Sequence, residues 1–350
     1  MRVLIATVQV PFVRGGAEML ADGLQAALIA AGHQAALVKL PFKWYPPERM
    51  IEQMLAARLF DLTASSGIAV DRVIGLRFPA YLVPHPNKVL WLLHQYRTAY
   101  DLWGTELCEL MHAPNGREVR DAIHAADRAF IPEARARFTI AQNVANRLRR
   151  FCGIDANALY HPPPSADLLR RGVAENFLYY PSRVNRTKRQ LLAIEALALC
   201  REPVRLIFSA LRDDISYGDE IAHRIEALGL TRRVQWLEAT GDDAKLDLYA
   251  RCLGVVFPPL DEDYGYVTLE AMLAGKPVIT CTDSGGPLEF VQHERTGLVA
   301  DPTPAALATA LDRVWGDRKA AAEWGAAGRD RYASLNIGWP HVVATLTRDA

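Results

Sequence analysis

The sequence predicts an α/β protein built as two doubly wound halves, each a parallel sheet wrapped by helices. Three observations carry this expectation. Short apolar runs rich in Val, Ile and Leu alternate with longer segments whose apolar residues recur every three to four positions. The alternation halts at "HPPPS" (161–165) and then starts again. The chain has 350 residues, half of them apolar, which suffices for two domains with their own cores.

The elements follow in order. "RVLIATVQV" (2–10) reads as a buried strand, and "AEMLADGLQAALIAAG" (17–32) as a helix capped by Gly32. "QAALVKL" (34–40), "DRVIGL" (71–76), "KVLWLLH" (88–94), "RAFI" (128–131) and "NALYH" (157–161) read as further strands. Helices fit 47–60, 115–126 and 139–151. The three prolines of "HPPPS" fix φ and remove donors, so neither helix nor sheet runs through them. The rhythm resumes with strands at 176–182, 204–210, 233–239, 253–259 and 277–282. Helices are expected at 189–200, 218–230, 243–252, 268–275, 303–315, 318–333 and 338–349. The domains are placed at 1–172 and 173–337, with ligands expected in a central cleft at the carboxyl ends of the strands.

Composition excludes several classes. Lys+Arg and Asp+Glu are equal at 40 each, so the chain as a whole carries no nucleic-acid footprint. Residues 1–170 hold 19 basic and 15 acidic residues, the remainder 21 and 25. Six arginines fall within 128–150 against one acid, Glu133. That cluster reads as a solvated helix face or as a patch that meets an anionic membrane surface. The five cysteines are scattered without a CxxC pair, which argues against a disulfide framework or a thiolate zinc site. No run is long enough to span a bilayer. The expected location is cytoplasmic, at most peripheral on the inner face of a membrane.

Four stretches carry chemistry. In "VRGGAE" (13–18) Gly15 and Gly16 join the first strand to the first helix, where free N–H groups suit an anion or a hydroxyl; a simple tight turn explains the glycines equally well. In "PSRVNRTKRQ" (181–190), Arg183 lies just past a strand and Lys188 starts the next helix. The pair reads as surface basicity around a helix start or, since cations are disfavoured there, as a holder of an anionic partner such as a diphosphate. "LDEDYGYVTLEAMLAG" (260–275) holds Glu262 in a glycine-containing turn and Glu270 in the first turn of a helix. Backbone N–H groups across Tyr264, Gly265 and Tyr266 can meet phosphate, and the carboxylate of Glu270 can accept from a vicinal diol. "DED" (261–263) is a weak divalent-metal signal. His94 closes a buried strand and so stands at the sheet rim. GxGxxG, GxSxG and HExxH patterns are absent, which removes support for nicotinamide, serine-hydrolase and zinc-protease readings.

Taken together, "GGAE" (15–18), His94, "SRVNRTK" with Arg183 and Lys188, Glu262-x7-Glu270, "GGPLEFV" (285–291) and "ERTGLVAD" (294–301) resemble the family 4 retaining glycosyltransferases of the GT-B fold. The resemblance implies two Rossmann-like domains and a nucleoside-diphosphate sugar held mainly by the C-terminal one. It implies diphosphate contacts from Arg183 and Lys188, ribose held by Glu270 and sugar hydroxyls by Glu262. His94 would approach the donor sugar, and Gly15 and Gly16 the phosphates and acceptor. No metal or cofactor is implied, and the last helix (338–349) would pack back on the first domain. The partners implied are a nucleotide sugar and a glycan or lipid-linked acceptor of envelope or extracellular polysaccharide synthesis. A sugar-nucleotide epimerase of the same fold and a non-catalytic sugar-nucleotide binder are the alternatives.

Overall fold

A computed structural model describes residues 1–209, 214–238 and 241–348. Ala210, Ala239 and Asp349, at the ends of three expected elements, lie outside the described residues. The chain divides into two compact units, Met1–Pro164 with Ile337–Ala350, and Ser165–Asn336. The sequence places that division at 172/173.

The first unit contains β1 (Arg2–Gln9), α1 (Gly16–Ala30), β2 (Gln34–Pro41) and α2 (Glu48–Leu59). A two-residue pair, β3 (Ala64–Ser65) and β4 (Ile68–Ala69), precedes β5 (Arg72–Gly75) and β6 (Lys88–Leu92). Then come α3 (Gly116–Phe130), β7 (Ala136–Thr139), α4 (Gln142–Cys152) and β8 (Asn157–Ala158). The sheet order is β2-β1-β5-β6-β7-β8, parallel throughout. β5 and β6 are buried along their whole length, the leading Arg72 and Lys88 included, as expected where helices cover both faces.

One expected strand is overturned. Residues 128–131 do not form a strand: 128–130 close α3, and the Ile131 N–H donates to the Asp127 carbonyl at 3.1 Å. Val119, Ile123, Ala126 and Phe130 recur at helical spacing and pack on the first core, so the short apolar end belongs to that stripe. The strand lies at 136–139 instead.

The second unit runs β9 (Leu178–Tyr180), α5 (Gln190–Leu199), β10 (Leu206–Ser209), α6 (Ile215–Ala227), β11 (Val234–Leu237), α7 (Asp242–Arg251) and β12 (Gly254–Val256). It continues through α8 (Tyr266–Leu273), β13 (Val278–Cys281), α9 (Pro287–Phe290), β14 (Gly297–Ala300), α10 (Pro304–Gly316) and α11 (Arg318–Ser334). Its order is β11-β10-β9-β12-β13-β14, again parallel. The last helix, α12 (Trp339–Thr347), belongs to the first unit. There Trp339 lies against Gly23, where an added Cβ would come within 2.6 Å of the indole. Buried Arg72 donates to the carbonyls of Leu346 and Arg348 at 2.8 and 2.9 Å, satisfying the end of α12.

In each sheet the chain winds outward from its first strand, then crosses to the other side. The crossing falls between β1 and β5 in the first unit and between β9 and β12 in the second. At such a switch point neighbouring loops diverge and leave a crevice beyond the carboxyl ends.

Candidate active site

The second unit's switch point is framed by the loops after β9 and β12, and Lys188 and Glu262 stand on them. Three loops are zipped together there by backbone hydrogen bonds. Leu260 N–H donates to the Thr187 carbonyl at 2.7 Å, Asp261 N–H to Asp283 at 2.9 Å, and Glu262 N–H to Ser284 at 2.9 Å. Gly286 N–H returns to the Glu262 carbonyl at 2.8 Å. A Cβ at Gly286 would lie 2.7 Å from the Asp263 carbonyl oxygen, so the second glycine of "GGPLEFV" is needed for this close approach.

Lys188 does not start α5. It ends a 3-10 turn over Arg186–Lys188 that is capped by the Asn185 side chain. Arg189 then takes a left-handed φ of 58° before the helix begins. This kink separates the cations. The Lys188 ammonium binds the Glu262 carboxylate. Arg189 grips Asp283 with both guanidinium nitrogens, at 2.8 and 2.5 Å. Arg186 pairs with Glu220 at 2.8 Å. Arg183 is exposed on the loop after β9, and its carbonyl accepts from Gln190 Nε2 at 2.8 Å.

Glu270 sits one turn deeper than the sequence suggests. It is the fifth residue of α8, beyond the first turn, so complementing the helix dipole is not its role. The residue is 3% exposed, and each of its carboxylate oxygens has one partner. Lys245 Nζ donates to Oε1 at 2.7 Å and Tyr249 Oη to Oε2 at 2.5 Å. Burial, then the adjacent Glu270 charge, pushes the Tyr249 hydroxyl well above its usual range. The same two causes raise Tyr266. Gly265 caps α8 with φ 84°, a left-handed turn that aims the helix start at the crevice. The Tyr264 ring packs edge-on against Tyr266 and Phe290, so this residue offers the site its backbone rather than its ring.

Sequence reasoning missed four partners: Lys245, Tyr249, Arg189 and Asp283. Lys245 and Tyr249 are one turn apart on α7, so both face α8; that i,i+4 spacing was the available signal. Among the described residues no three His, Cys, Asp or Glu side chains converge as metal ligands.

In the first unit, Gly15 caps α1 with an extended backbone, and its N–H donates to Glu18 Oε2 at 2.8 Å. Glu18 also meets Arg77, from the loop after β5, at 3.3 Å. The "GGAE" glutamate therefore reaches back to the start of its own helix, in the manner of a capping box. Gly16 is the first helical residue. His94 follows β6 by two residues and is half-buried. Its Nδ1 lies 2.6 Å from the Gln95 carbonyl, which can only accept, so Nδ1 carries the proton in this contact. The arginine cluster is partly spent on structure: Arg147 is buried near Asp101, Arg149 pairs with Asp155 at 2.5 Å, and Arg137 donates to the Ala134 carbonyl. No described helix is long and apolar enough to cross a membrane.

Two Rossmann-like parallel-sheet units, one with paired carboxylates and cations at its switch point, define an α/β protein of the GT-B class. Residues 169–331 match the family Glycosyl transferases group 1, and the second unit belongs to that family. The chain is 32% identical over 184 residues to the alpha-1,3/1,6-mannosyltransferase ALG2 of Homo sapiens, a stretch covering 49% of this chain and 44% of that protein. It thus spans less than half the length of the curated relatives it matches first. Among solved structures it resembles sucrose-phosphate synthase from Thermosynechococcus elongatus, with a TM-score of 0.80 at 19% identity over 99% of this chain and 97% of that one. It also resembles Anabaena Alr3699/HepE, solved in complex with UDP-glucose, with a TM-score of 0.72 at 18% identity over the same shares. At these identities the likeness is one of fold.

Proposed function

We propose that the protein is a retaining glycosyltransferase that moves a sugar from a nucleoside-diphosphate donor to a glycan or lipid-linked acceptor. The observation that carries this is the pair of carboxylates at the second unit's switch point. Glu262 lies on Lys188, and Glu270 lies between Lys245 and Tyr249. Glu270 accepts the ribose diol and Glu262 the donor-sugar hydroxyls. Lys188 and Arg183 neutralise the diphosphate and the charge that grows on it as it leaves, usually the largest catalytic contribution. Cations already placed there make a metal unnecessary for that step. The diphosphate leaves on the face that the acceptor attacks, so anomeric configuration is retained. His94 serves the transferring sugar, and the Gly15–Gly16 loop the acceptor and phosphates. The exposed Arg128, Arg149 and Arg150 support peripheral contact with an anionic membrane, testable by vesicle flotation. Envelope or extracellular polysaccharide assembly is the process that fits such an acceptor.

A thermal-shift panel of nucleoside diphosphates and their sugars, with and without EDTA, tests the proposal. Stabilisation by one base series, unchanged by EDTA, is expected. No stabilisation by any nucleotide defeats the donor assignment, and stabilisation that EDTA abolishes defeats metal independence.

A further inference from the structure

The loop that carries His94 is held from behind by one carboxylate. Asp127, on α3, has no solvent exposure. Tyr81 Oη donates to its Oδ1 at 2.8 Å, and Tyr100 Oη to its Oδ2 at 2.7 Å. The Gln95 side chain lies close enough to this carboxylate to influence it. Gln95 adjoins His94, Tyr100 lies further along the same loop, and Tyr81 stands on the loop after β5. Donors from two neighbouring strand-end loops thus converge on one buried group, and both are neutral hydroxyls.

Other side chains of α3 grip the same loop. Arg120 Nε and His124 Nε2 both reach the Ala99 carbonyl, at 3.0 and 2.8 Å, and the His124 ring stacks on Tyr100 at 4.2 Å. From α4, Cys152 Sγ accepts from Gln95 Nε2 at 3.0 Å. The titratable and charged groups around Asp127 are therefore Tyr81, Tyr100, His124, Cys152 and Arg128.

We propose that Asp127 is a positioning residue, whose ionised carboxylate fixes the loop after β6 and with it the placement of His94. An ionised carboxylate accepts from both hydroxyls without presenting a hydrogen of its own. On protonation one oxygen gains a hydrogen and becomes the weaker acceptor, so the hydroxyl it holds is bound less tightly. Burial pushes this carboxyl up to about 6, against the opposing pull of the Tyr100 and Tyr81 hydrogen bonds. The loop is therefore held above that pH and loosens below it. The consequence for turnover rests on the proposed role of His94 in sugar transfer; the structural part does not.

The test reads the side-chain amide of Gln95 by 15N NMR in the full chain, assigned by its loss in Gln95→Met. Gln95 does not titrate, so a step in its shift near pH 6 reports Asp127. The step should vanish in Asp127→Asn and persist in His94→Gln. It should move upward in Tyr81→Phe, which removes a donor from the ionised form. In turnover, Asp127→Asn should lower kcat about tenfold while the donor KM holds within about twofold. A Gln95 signal flat between about pH 5 and pH 8 overturns the proposal. So does a step indifferent to Tyr81→Phe, which decides the matter if Asp127→Asn fails to fold. A wild-type kcat in folded Asp127→Asn also overturns it. If no sugar is transferred at all, the transferase reading fails while the NMR result still judges Asp127.

Discussion

Glu270→Gln separates the ribose role from a structural one. The substitution keeps shape and one acceptor oxygen but removes the charge that meets Lys245 at 2.7 Å and Tyr249 at 2.5 Å. Hydrogen bonds to charged groups contribute about 1.5–3 kcal/mol and neutral ones about 0.5–1.5, so each loses about 1 kcal/mol. Lys245 is 37% exposed, and solvent screening reduces its share. The free protein should lose about 1–2 kcal/mol, a fall of about 2–8 °C for a unit of this size. Binding should suffer separately. A ribose diol donating to a carboxylate forfeits about 1.5–3 kcal/mol when that group becomes an amide, or about 10–150-fold in Kd. Inorganic pyrophosphate carries no ribose and should bind as before. Calorimetric titration of both ligands into both proteins, in EDTA, gives the comparison. Equal weakening of the two, or no weakening of the nucleoside diphosphate, refutes the ribose assignment.

Lys188→Ala should reduce transfer by about 100-fold or more with the circular dichroism unchanged, since it removes the ammonium that serves the leaving diphosphate; near-normal turnover would remove Lys188 from the mechanism. His161 gives a pH effect in the first unit. It is buried edge-on against Trp91 at 5.2 Å, and burial holds its imidazole down to about 3. The unfolded chain takes up a proton near pH 6.5 that the native state refuses, so stability falls as pH drops from there towards 3. By about pH 5 the loss is about 2 kcal/mol. His161→Phe should abolish that portion of the acid slope in urea titrations at pH 7 and 5, with the opposing Asp127 contribution cancelling between the two proteins. Identical slopes would show that His161 is protonated in the native state.

Much of the fold was legible because parallel strands covered on both faces are mostly apolar, as at Lys88–Leu92 and Val278–Cys281, where Lys88 and Thr280 are the exceptions. The strand expected at 128–131 failed because four apolar-rich residues fit the end of a helix as well as a strand, and only the stripe back to Val119 decides. At the site, Glu262 and Glu270 could be singled out because a glycine-containing turn leads into a helix there, and Lys188 because cations cluster at an expected helix start. Arg189 and Asp283 could not, and Lys245 was marked only by its spacing from Tyr249. Their partners come from other loops and helices, and a charge announces its partner only when the chain is folded. Asp127 was hidden for a related reason: on an amphipathic helix it reads as one more solvated acid.

The chain leaves its first unit once, at Pro164, and rejoins it at Ile337. The second unit is therefore a cassette inserted into a host module, encoded as one uninterrupted stretch. Recombination at two points would exchange it whole and leave the host's own sheet, together with the tryptophan-anchored return helix, intact. Change confined to the inserted unit needs no change to the module that receives it.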